Sequence, residues 1–433
     1  MRSQDTRQAR TGLLTDHYEL TMVRAALRDG TADRRCVFEV FTRRLPEGRR
    51  YGVVAGTSRL LEAIEAFGYD DDALARLLAD RVVDEDTCRW LRSYRFSGDV
   101  TGYAEGEVFF PGSPVLTVEG TFAEAVLLET LTLSVLNHDS AVASAAARMA
   151  YAAGTRPCIE MGSRRTHEEA AVASARAAYL AGFASTSNLA AGQRYGVPTT
   201  GTAAHSWTLL HDREVDAFRA QVGALGSSTT LLVDTYDIAA GIHSAIEVAG
   251  TDLGAVRIDS GDLTVLAQQA REQLDSLGAT RTRIVLSGDL DEYGLAALAT
   301  APVDAYGVGT SVVTGSGAPT AGFVYKLVEV DGRAVAKRSE DKASRGGRKT
   351  AVRRHRPTGT ATEEAIRAQG DPSASDGDRA LQIPFIQSGR LLDVPSLEQS
   401  RDHLQQVLTT LPWQGLALSK GEPAIPTTYE GPR

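Results

Sequence analysis

Three short stretches gather side chains suited to phosphate and sugar chemistry. GVGTSVVTGSG, residues 307–317, follows an apolar run with glycines and then hydroxyls. Without Cβ atoms there, backbone N–H groups can approach a phosphate, and Thr310 and Ser311 add donors. A plain flexible turn is the alternative. RIDSGD places Arg257 inside an apolar run with Asp259 and Asp262 nearby. A cation in that position needs an anionic partner, either an internal carboxylate or a ligand's phosphate or carboxylate. GTAAHSW sets His205 among small residues that leave room for a ligand. A neutral imidazole can act as a general base or as a nucleophile toward phosphorus, although a lone histidine is as readily structural.

These stretches belong to a recurring pattern. From 156 to 317 the runs PCIEMG, AGFASTS, VPTTGTAAH, TTLLVD, GAVRIDSGD, RIVLSGD and VDAYGVGT each precede a helical segment. Strand–helix alternation predicts parallel strands with right-handed crossovers, and seven units favour an α/β barrel over a doubly wound sheet. In a barrel, function sits at the C-terminal strand ends. Here those ends offer Glu160, Arg164 and Arg165; Ser185, Thr186, Ser187 and Asn188; His205 and Ser206; Asp234 and Asp237; Arg257, Asp259, Ser260 and Asp262; Ser287, Gly288 and Asp289; and Gly307, Gly309 and Thr310. Any one can cap a helix, and Ser187, Asp262 and Asp289 are the expected caps. Polar residues at all seven ends exceed what capping needs.

The flanks are less regular. DHYELTMVRAALRDG predicts a helix with Asp16 and Glu19 as a capping pair and Gly30 as its stop. CVFEVFTRR predicts a strand, and 97–120 a small antiparallel sheet. Thr121 and Glu124 form a capping box expected to open a long helix that Gly154 closes. A hairpin should turn at Asp331-Gly332, and residues 357–379 read as a loop or linker. LQIPFIQSGRLL reads as a strand pair, and SLEQSRDHLQQVLTTL as an amphipathic helix stopped by Pro412.

Composition narrows the classes. The 433 residues, 42% hydrophobic and 23% charged, allow two or three domains with substantial cores. No stretch reaches about 20 predominantly apolar residues, and the first 20 residues lack the apolar core of a secretory signal. Cys36, Cys88 and Cys158 are widely spaced and odd in number, which argues against a disulfide framework or a CxxC metal site and suits the cytoplasm. Net charge is −9, yet 333–354 holds nine Lys/Arg against two acids. The acidic remainder argues against a nucleic-acid binder. The basic segment is expected to be a solvated surface or a loop facing polyphosphate. No HExxH, GxxxxGK[ST] or early GxGxxG occurs, and His138, His167, His211, His243, His355 and His403 show no metal spacing.

Taken together, LLTDHYELTM, FEVFTRRLPEG, EVFFPGSPVLTVEG, ETLTLSVLNHDS, EMGSRR, GFASTSN, GTAAHSW, LLVDTYD, VRIDSGDL, GVGTSVVTGSGAP, RKTAVRR and LQIPFIQSGR resemble, in this order, the nicotinate phosphoribosyltransferases. The resemblance covers nearly the whole chain. It implies a type II phosphoribosyltransferase fold: an irregular α/β barrel over 126–317 joined to an open-faced α/β sandwich built from 1–125 and 318–433. The second part would include the basic loop 333–354 and the linker 357–379. It implies transfer from phosphoribosyl pyrophosphate to nicotinate, giving nicotinate mononucleotide and pyrophosphate, with ATP hydrolysis coupled through a phosphohistidine. Mg²⁺ would travel mainly on the substrate phosphates, and a homodimer would form its active sites at the interface.

Residue by residue, the resemblance makes His205 the phosphorylated histidine and Ser206 its neighbour near the base. Tyr18 would be an aromatic stacked on the pyridine ring from across the interface. Arg165 and Arg257 would hold carboxylate and phosphates, and Asp234 would be a ribose- or metal-side carboxylate. Gly309 and Thr310 would form the 5′-phosphate loop, with Thr186, Asp259, Ser287, Gly288 and Asp289 lining the substrate site. The chain departs from the family pattern at Ser163, at Thr166-His167 and in SRGGRKT. Rival readings are a nicotinamide phosphoribosyltransferase and a catalytically silent barrel that binds a phosphorylated metabolite. A sugar-phosphate aldolase or isomerase would want a strand-end lysine, and the seven ends offer none.

Overall fold

A computed structural model describes residues 10–337, 345–368 and 378–430. The chain divides into two compact units, 142–319 and the combination of 1–141 with 320–433. The expected cuts at 125/126 and 317/318 fall earlier at both places. The helix Glu129–Ala153 begins in one unit and ends in the other.

Within 142–319, six short apolar strands form one parallel sheet. Its order is Ser185–Thr186, Cys158–Glu160, Ala305–Val308, Arg283–Leu286, Ala255–Ile258 and Thr230–Leu232. The first strand in sequence pairs with the last, Gly307 standing opposite Ile159, so the sheet curls round into a partial barrel. Val256, Ile258, Ile284, Leu286, Tyr306 and Val308 are buried, as parallel strands covered on both faces require. The seventh expected strand, VPTTGTAAH, does not form. It contributes one bridge, Thr186 to Thr199. Pro198 has no N–H to donate, and Gly201, Ala203 and Ala204 bring little side-chain bulk, so the sheet stays open there.

The other unit is built on a seven-stranded antiparallel sheet that interleaves both ends of the chain. Arg35–Thr42 lies between Phe323–Val330 and Leu116–Thr121, and Gln382–Gln387 lies beside Asp99–Tyr103. The hairpin turns at Asp331 and Gly332, with φ of 49° and 74°, as Asp-Gly in a two-residue turn should. Gly30 ends His17–Asp29 in the left-handed conformation. Asp16 makes no capping bond. Glu19 is buried instead and accepts from the backbone N–H of Thr130 at 3.0 Å, so it caps the following long helix from a distance in sequence. The Thr121–Glu124 box is present but opens only Phe122–Val126; the long helix starts at Glu129.

The expected linker 357–379 and the basic loop 333–354 are largely strand where they are described. A four-stranded sheet runs in the order Asp378–Ala380, Lys349–His355, Ala361–Ala368 and Thr427–Glu430. Residues 338–344 and 369–377 lie outside the described residues. In the strand Lys349–His355 the cations are paired with carboxylates. Arg353 is fully buried and bridges Glu107 to Glu364, the latter at 2.6 Å. Lys349 meets Glu39 at 2.6 Å in a buried pair. Arg354 pairs with Glu363 at 2.7 Å and also with Glu430. Ala361–Ala368 looked like a linker because its buried position 364 carries a carboxylate rather than an apolar group. Burial alone would raise the pKa of Glu107; Arg353, His403 and Arg379 beside it hold its carboxyl well below the usual range.

Removing one member of such a buried cluster strands the others. Arg353→Met, which keeps the bulk and leaves Glu107 and Glu364 uncompensated, is expected to cost about 3–5 kcal/mol of stability. Denaturant unfolding checks this, and a loss below about 1 kcal/mol would show that the cluster is not a buried ion pair in solution.

Candidate active site

The strand Ala255–Ile258 carries Arg257 toward the C-terminal end of the partial barrel. Its guanidinium is shared three ways: Nε donates to Ser287 Oγ at 2.7 Å, Nη1 to Thr202 Oγ1 at 3.1 Å and Nη2 to Asp259 Oδ1 at 2.8 Å. Ser287 also donates to Asp259 Oδ1. The internal salt bridge left open by the sequence is therefore present, and it holds one edge of a cavity. Burial alone would raise the Asp259 pKa, but the Ser287 hydroxyl and the Arg257 charge bring it below its ordinary value.

That cavity measures about 450 Å³. Arg164, Arg165, Arg257, Asp259, Ser260, Ser287, Gly288, Asp289, Gly309 and Thr310 line it. Arg164 and Arg165 are exposed, and among the described residues neither has a carboxylate partner. The floor needs glycine. A Cβ on Gly307 would lie 2.8 Å from Met161 Sδ, and one on Gly288, whose φ is +129°, would lie 2.9 Å from the Asp259 carbonyl. Thr310 opens a four-residue helix after Gly309. The far end of this turn is tied down where Ser316 Oγ donates to Glu292 Oε2 at 2.5 Å, while Arg148 Nε holds the other Glu292 oxygen at 3.1 Å.

His205 begins the short helix His205–Leu209 and is partly exposed. Its Nδ1 lies 3.2 Å from Thr235 Oγ1. Its Nε2 faces two carboxylates, Asp234 Oδ1 at 3.9 Å and Asp259 Oδ2 at 4.0 Å. Asp234 is nearly fully buried. Its Oδ2 accepts from the Asp259 N–H at 2.8 Å and from Ser260 Oγ at 3.1 Å. Its Oδ1 is buried with no hydrogen-bond partner. A carboxylate held on one side and open on the other can fix the tautomer of a nearby imidazole and stabilise positive charge on it.

Most sequence candidates converge here: Arg165, His205, Asp234, Arg257, Asp259, Ser287, Gly288, Asp289, Gly309 and Thr310 all belong to this cluster or its cavity. Thr186 is buried, donates to Glu160 Oε2 at 2.5 Å and accepts from the Asn188 N–H at 2.9 Å. Glu160 also accepts from the Gly162 N–H, which ties down the turn before Arg164. Ser206 is exposed. Tyr18, 47% exposed, stands in the other unit, its hydroxyl pKa pushed up to about 12 by burial and by Glu129. Of the expected caps, Asp262 serves; Asn188 and Asp291 replace Ser187 and Asp289. Two of the departures from the family pattern have local roles: Ser163 accepts from Asn188 Nδ2 at 3.0 Å and His167 caps Glu168–Leu180. Glu214 was missed. It opens Glu214–Leu225, with Oε1 buried and unpartnered. Its one signal in the sequence is an acid soon after His205.

This fold and site define a class: α/β proteins whose candidate site lies at the C-terminal ends of parallel strands and gathers arginines, hydroxyls and glycine turns. Comparison with known proteins is more specific. The chain matches the model of the nicotinate phosphoribosyltransferase (NAPRTase) N-terminal domain over residues 13–137 and that of the nicotinate phosphoribosyltransferase (NAPRTase) family over 157–369. It is 63% identical over 425 residues to nicotinate phosphoribosyltransferase pncB1 of Mycobacterium tuberculosis, covering 96% of this chain and 94% of that protein. It is 37% identical over 334 residues to the nicotinate phosphoribosyltransferase of Bacillus subtilis, covering 75% and 68%. The crystal structure of human nicotinic acid phosphoribosyltransferase superposes with a TM-score of 0.83 at 27% identity, over 96% of this chain and 97% of that one. The chain belongs to the nicotinate phosphoribosyltransferase family.

Glu214 gives the site a pH signature. Burial first, then the charges of Asp237 and Asp234, push its pKa from 4.5 up to about 7. Below 4.5 it is protonated in both the folded and the unfolded chain and costs nothing. Between 4.5 and about 7 the unfolded chain ionises it and the fold resists, so its contribution to stability falls as pH rises and is lowest above 7. Glu214→Gln should therefore gain thermal stability over the parent chain progressively from about pH 5 to 8. Melting curves across that range check this; a difference that does not change with pH would contradict it.

Proposed function

We propose that this chain joins nicotinate to phosphoribosyl pyrophosphate, forming nicotinate mononucleotide and pyrophosphate in pyridine-nucleotide salvage, and couples the step to ATP hydrolysis through His205. Membership of the family supports the overall reaction. The observation that carries the ATP coupling is the His205 imidazole facing Asp234 Oδ1, a buried carboxylate oxygen with no other partner.

In the transfer, the bond from ribose C1 to the pyrophosphate oxygen breaks and the bond from C1 to the pyridine nitrogen forms. The sugar carries positive charge at the transition state, and the leaving group gathers negative charge. Positioning and cations dominate such a step. Arg257, fixed by Ser287, Thr202 and Asp259, supplies an oriented donor set. Gly309 and Thr310 offer N–H and hydroxyl donors for the 5′-phosphate. Mg²⁺ carried on the substrate phosphates would neutralise charge on the departing pyrophosphate.

In the ATP step, an imidazole nitrogen attacks the γ-phosphorus, a nitrogen–phosphorus bond forms and ADP leaves. A proton held on Nε2, which faces Asp234 and Asp259, leaves Nδ1 unprotonated beside Thr235 Oγ1 as the nucleophile. Water later hydrolyses the phosphohistidine to phosphate. Tyr18, half-exposed at the start of His17–Asp29, suits a ring donated to the base across a head-to-tail homodimer. Three buried, free cysteines suit the cytoplasm.

Nicotinate is an anion, and an unpaired guanidinium such as Arg165 reads its carboxylate. A neutral nicotinamide leaves that charge without its partner, a loss of roughly 1.5–3 kcal/mol or one to two decades in affinity. Purified protein given phosphoribosyl pyrophosphate, Mg²⁺ and nicotinate, nicotinamide or quinolinate, with and without ATP, should use nicotinate best and be stimulated by ATP. His205→Ala should lose the stimulation and keep a slow ATP-independent transfer. Equal use of nicotinamide would overturn the base assignment. No product from any base, with phosphoribosyl pyrophosphate still bound, would favour a silent binder.

A further inference from the structure

The turn that follows Thr310 runs through left-handed backbone at three successive residues. Gly315, Ser316 and Gly317 have φ of 62°, 52° and 81°. Glycine takes that conformation freely; a residue with a Cβ does not. Ser316 is therefore strained where its two neighbours are not, and its backbone gives no reason for a serine. Its N–H donates to the Ser311 carbonyl at 2.6 Å, a bond open to any residue except proline. What serine adds is the hydroxyl, whose Oγ donates to Glu292 Oε2 at 2.5 Å.

Glu292 is fixed for that contact. It opens the helix Glu292–Ala297, which Asp291 caps by accepting from the Tyr293 and Gly294 N–H groups. Its side chain is 3% exposed, and Oε1 accepts from Nε of the equally buried Arg148 at 3.1 Å. Arg148 comes from the helix Glu129–Ala153. All of these groups belong to 142–319, the unit that also holds the 450 Å³ cavity. A buried ion pair is weak evidence for stability. This one holds an acceptor in place for a single hydroxyl. From there the path to the cavity is short. Ser316 ties down the Ser311 carbonyl, and Thr314 Oγ1 donates to the Thr310 carbonyl at 2.8 Å. Gly309 and Thr310 line the cavity, and Glu292 stands behind them outside its lining.

We propose that Glu292 is a positioning residue that, through Ser316, holds the turn 310–316 in the strained form that aims Gly309 and Thr310 at the substrate's 5′-phosphate. The inference rests on the reading that this chain uses phosphoribosyl pyrophosphate. Initial rates are measured with phosphoribosyl pyrophosphate varied at saturating nicotinate, and the reverse. Ser316→Ala removes the hydroxyl and keeps the Cβ, so the turn relaxes; KM for phosphoribosyl pyrophosphate should rise about tenfold. Ser316→Gly also removes the hydroxyl but takes the left-handed form without strain, so that KM should rise no more than about threefold. Both should leave kcat and KM for nicotinate within about twofold of the parent. Glu292→Gln should raise KM for phosphoribosyl pyrophosphate about tenfold. It also strands the Arg148 charge, so melting temperatures accompany every variant and the serine pair carries the test if this one unfolds. The ranking of glycine above alanine is the result that side-chain bulk alone does not give. In folded protein, Ser316→Gly no better than Ser316→Ala overturns the role of the strained turn. A parental KM in Ser316→Ala overturns the positioning role, and so do equal rises in both KM values, which mark a general loosening of the unit. All three leave the reaction standing. Absence of transfer by the parent chain overturns the reading beneath.

Discussion

One buried oxygen, Oδ1 of Asp234, sets the terms for the catalytic half of the molecule. Its partner oxygen is fully engaged by the Asp259 N–H and the Ser260 hydroxyl, so the carboxylate cannot rotate to relieve it. A buried charge left partly unpaired is expensive, and such groups persist where they have a task. Here the imidazole of His205 faces that oxygen. The same Asp259 whose backbone grips Asp234 gives its side chain to Arg257 and Ser287. Histidine, carboxylates, guanidinium and hydroxyl are therefore one connected set, and the sheet that carries Asp234, Arg257 and Ser287 on successive strand ends fixes their spacing. A shift in any of these strands would move all of them.

The second unit solves a different electrostatic problem. It buries Glu39, Glu107 and Glu364 and answers them with Lys349 and Arg353 from one strand. Such pairs add little net stability over apolar packing, but they penalise every register except the native one. A one-residue slip of Lys349–His355 would put Arg353 and Lys349 on the opposite face and strand three carboxylates. The unit's antiparallel sheet, assembled from both ends of the chain, has use for that specificity.

Much of this was legible in the sequence. The strand–turn–helix rhythm placed six of seven strand ends, because apolar runs ending in Asp, Ser, Arg or Gly leave little choice of period or direction. Arg257, Asp234 and His205 were visible as polar groups in apolar surroundings. The missing strand at 197–204 was misread because spacing suggested a unit where proline and small residues denied it a ladder. The pairing of Lys349, Arg353 and Arg354 was hidden because their partners, Glu39, Glu107 and Glu430, lie far away in sequence, and 357–379 reads as a linker because it is rich in Pro, Gly, Ser, Thr and Asp. Glu214 was overlooked because the acids that raise its pKa, Asp234 and Asp237, come from another element.

The ATP coupling turns on His205 taking phosphate. The direct measurement is to incubate the purified protein with Mg²⁺ and ATP labelled in the γ-phosphate, then quantify acid-labile, alkali-stable label on the protein. The parent chain should be labelled, the label should be released on adding nicotinate and phosphoribosyl pyrophosphate, and His205→Ala should carry none. Label that persists in His205→Ala, or ATP stimulation by a parent chain that never becomes labelled, would contradict it.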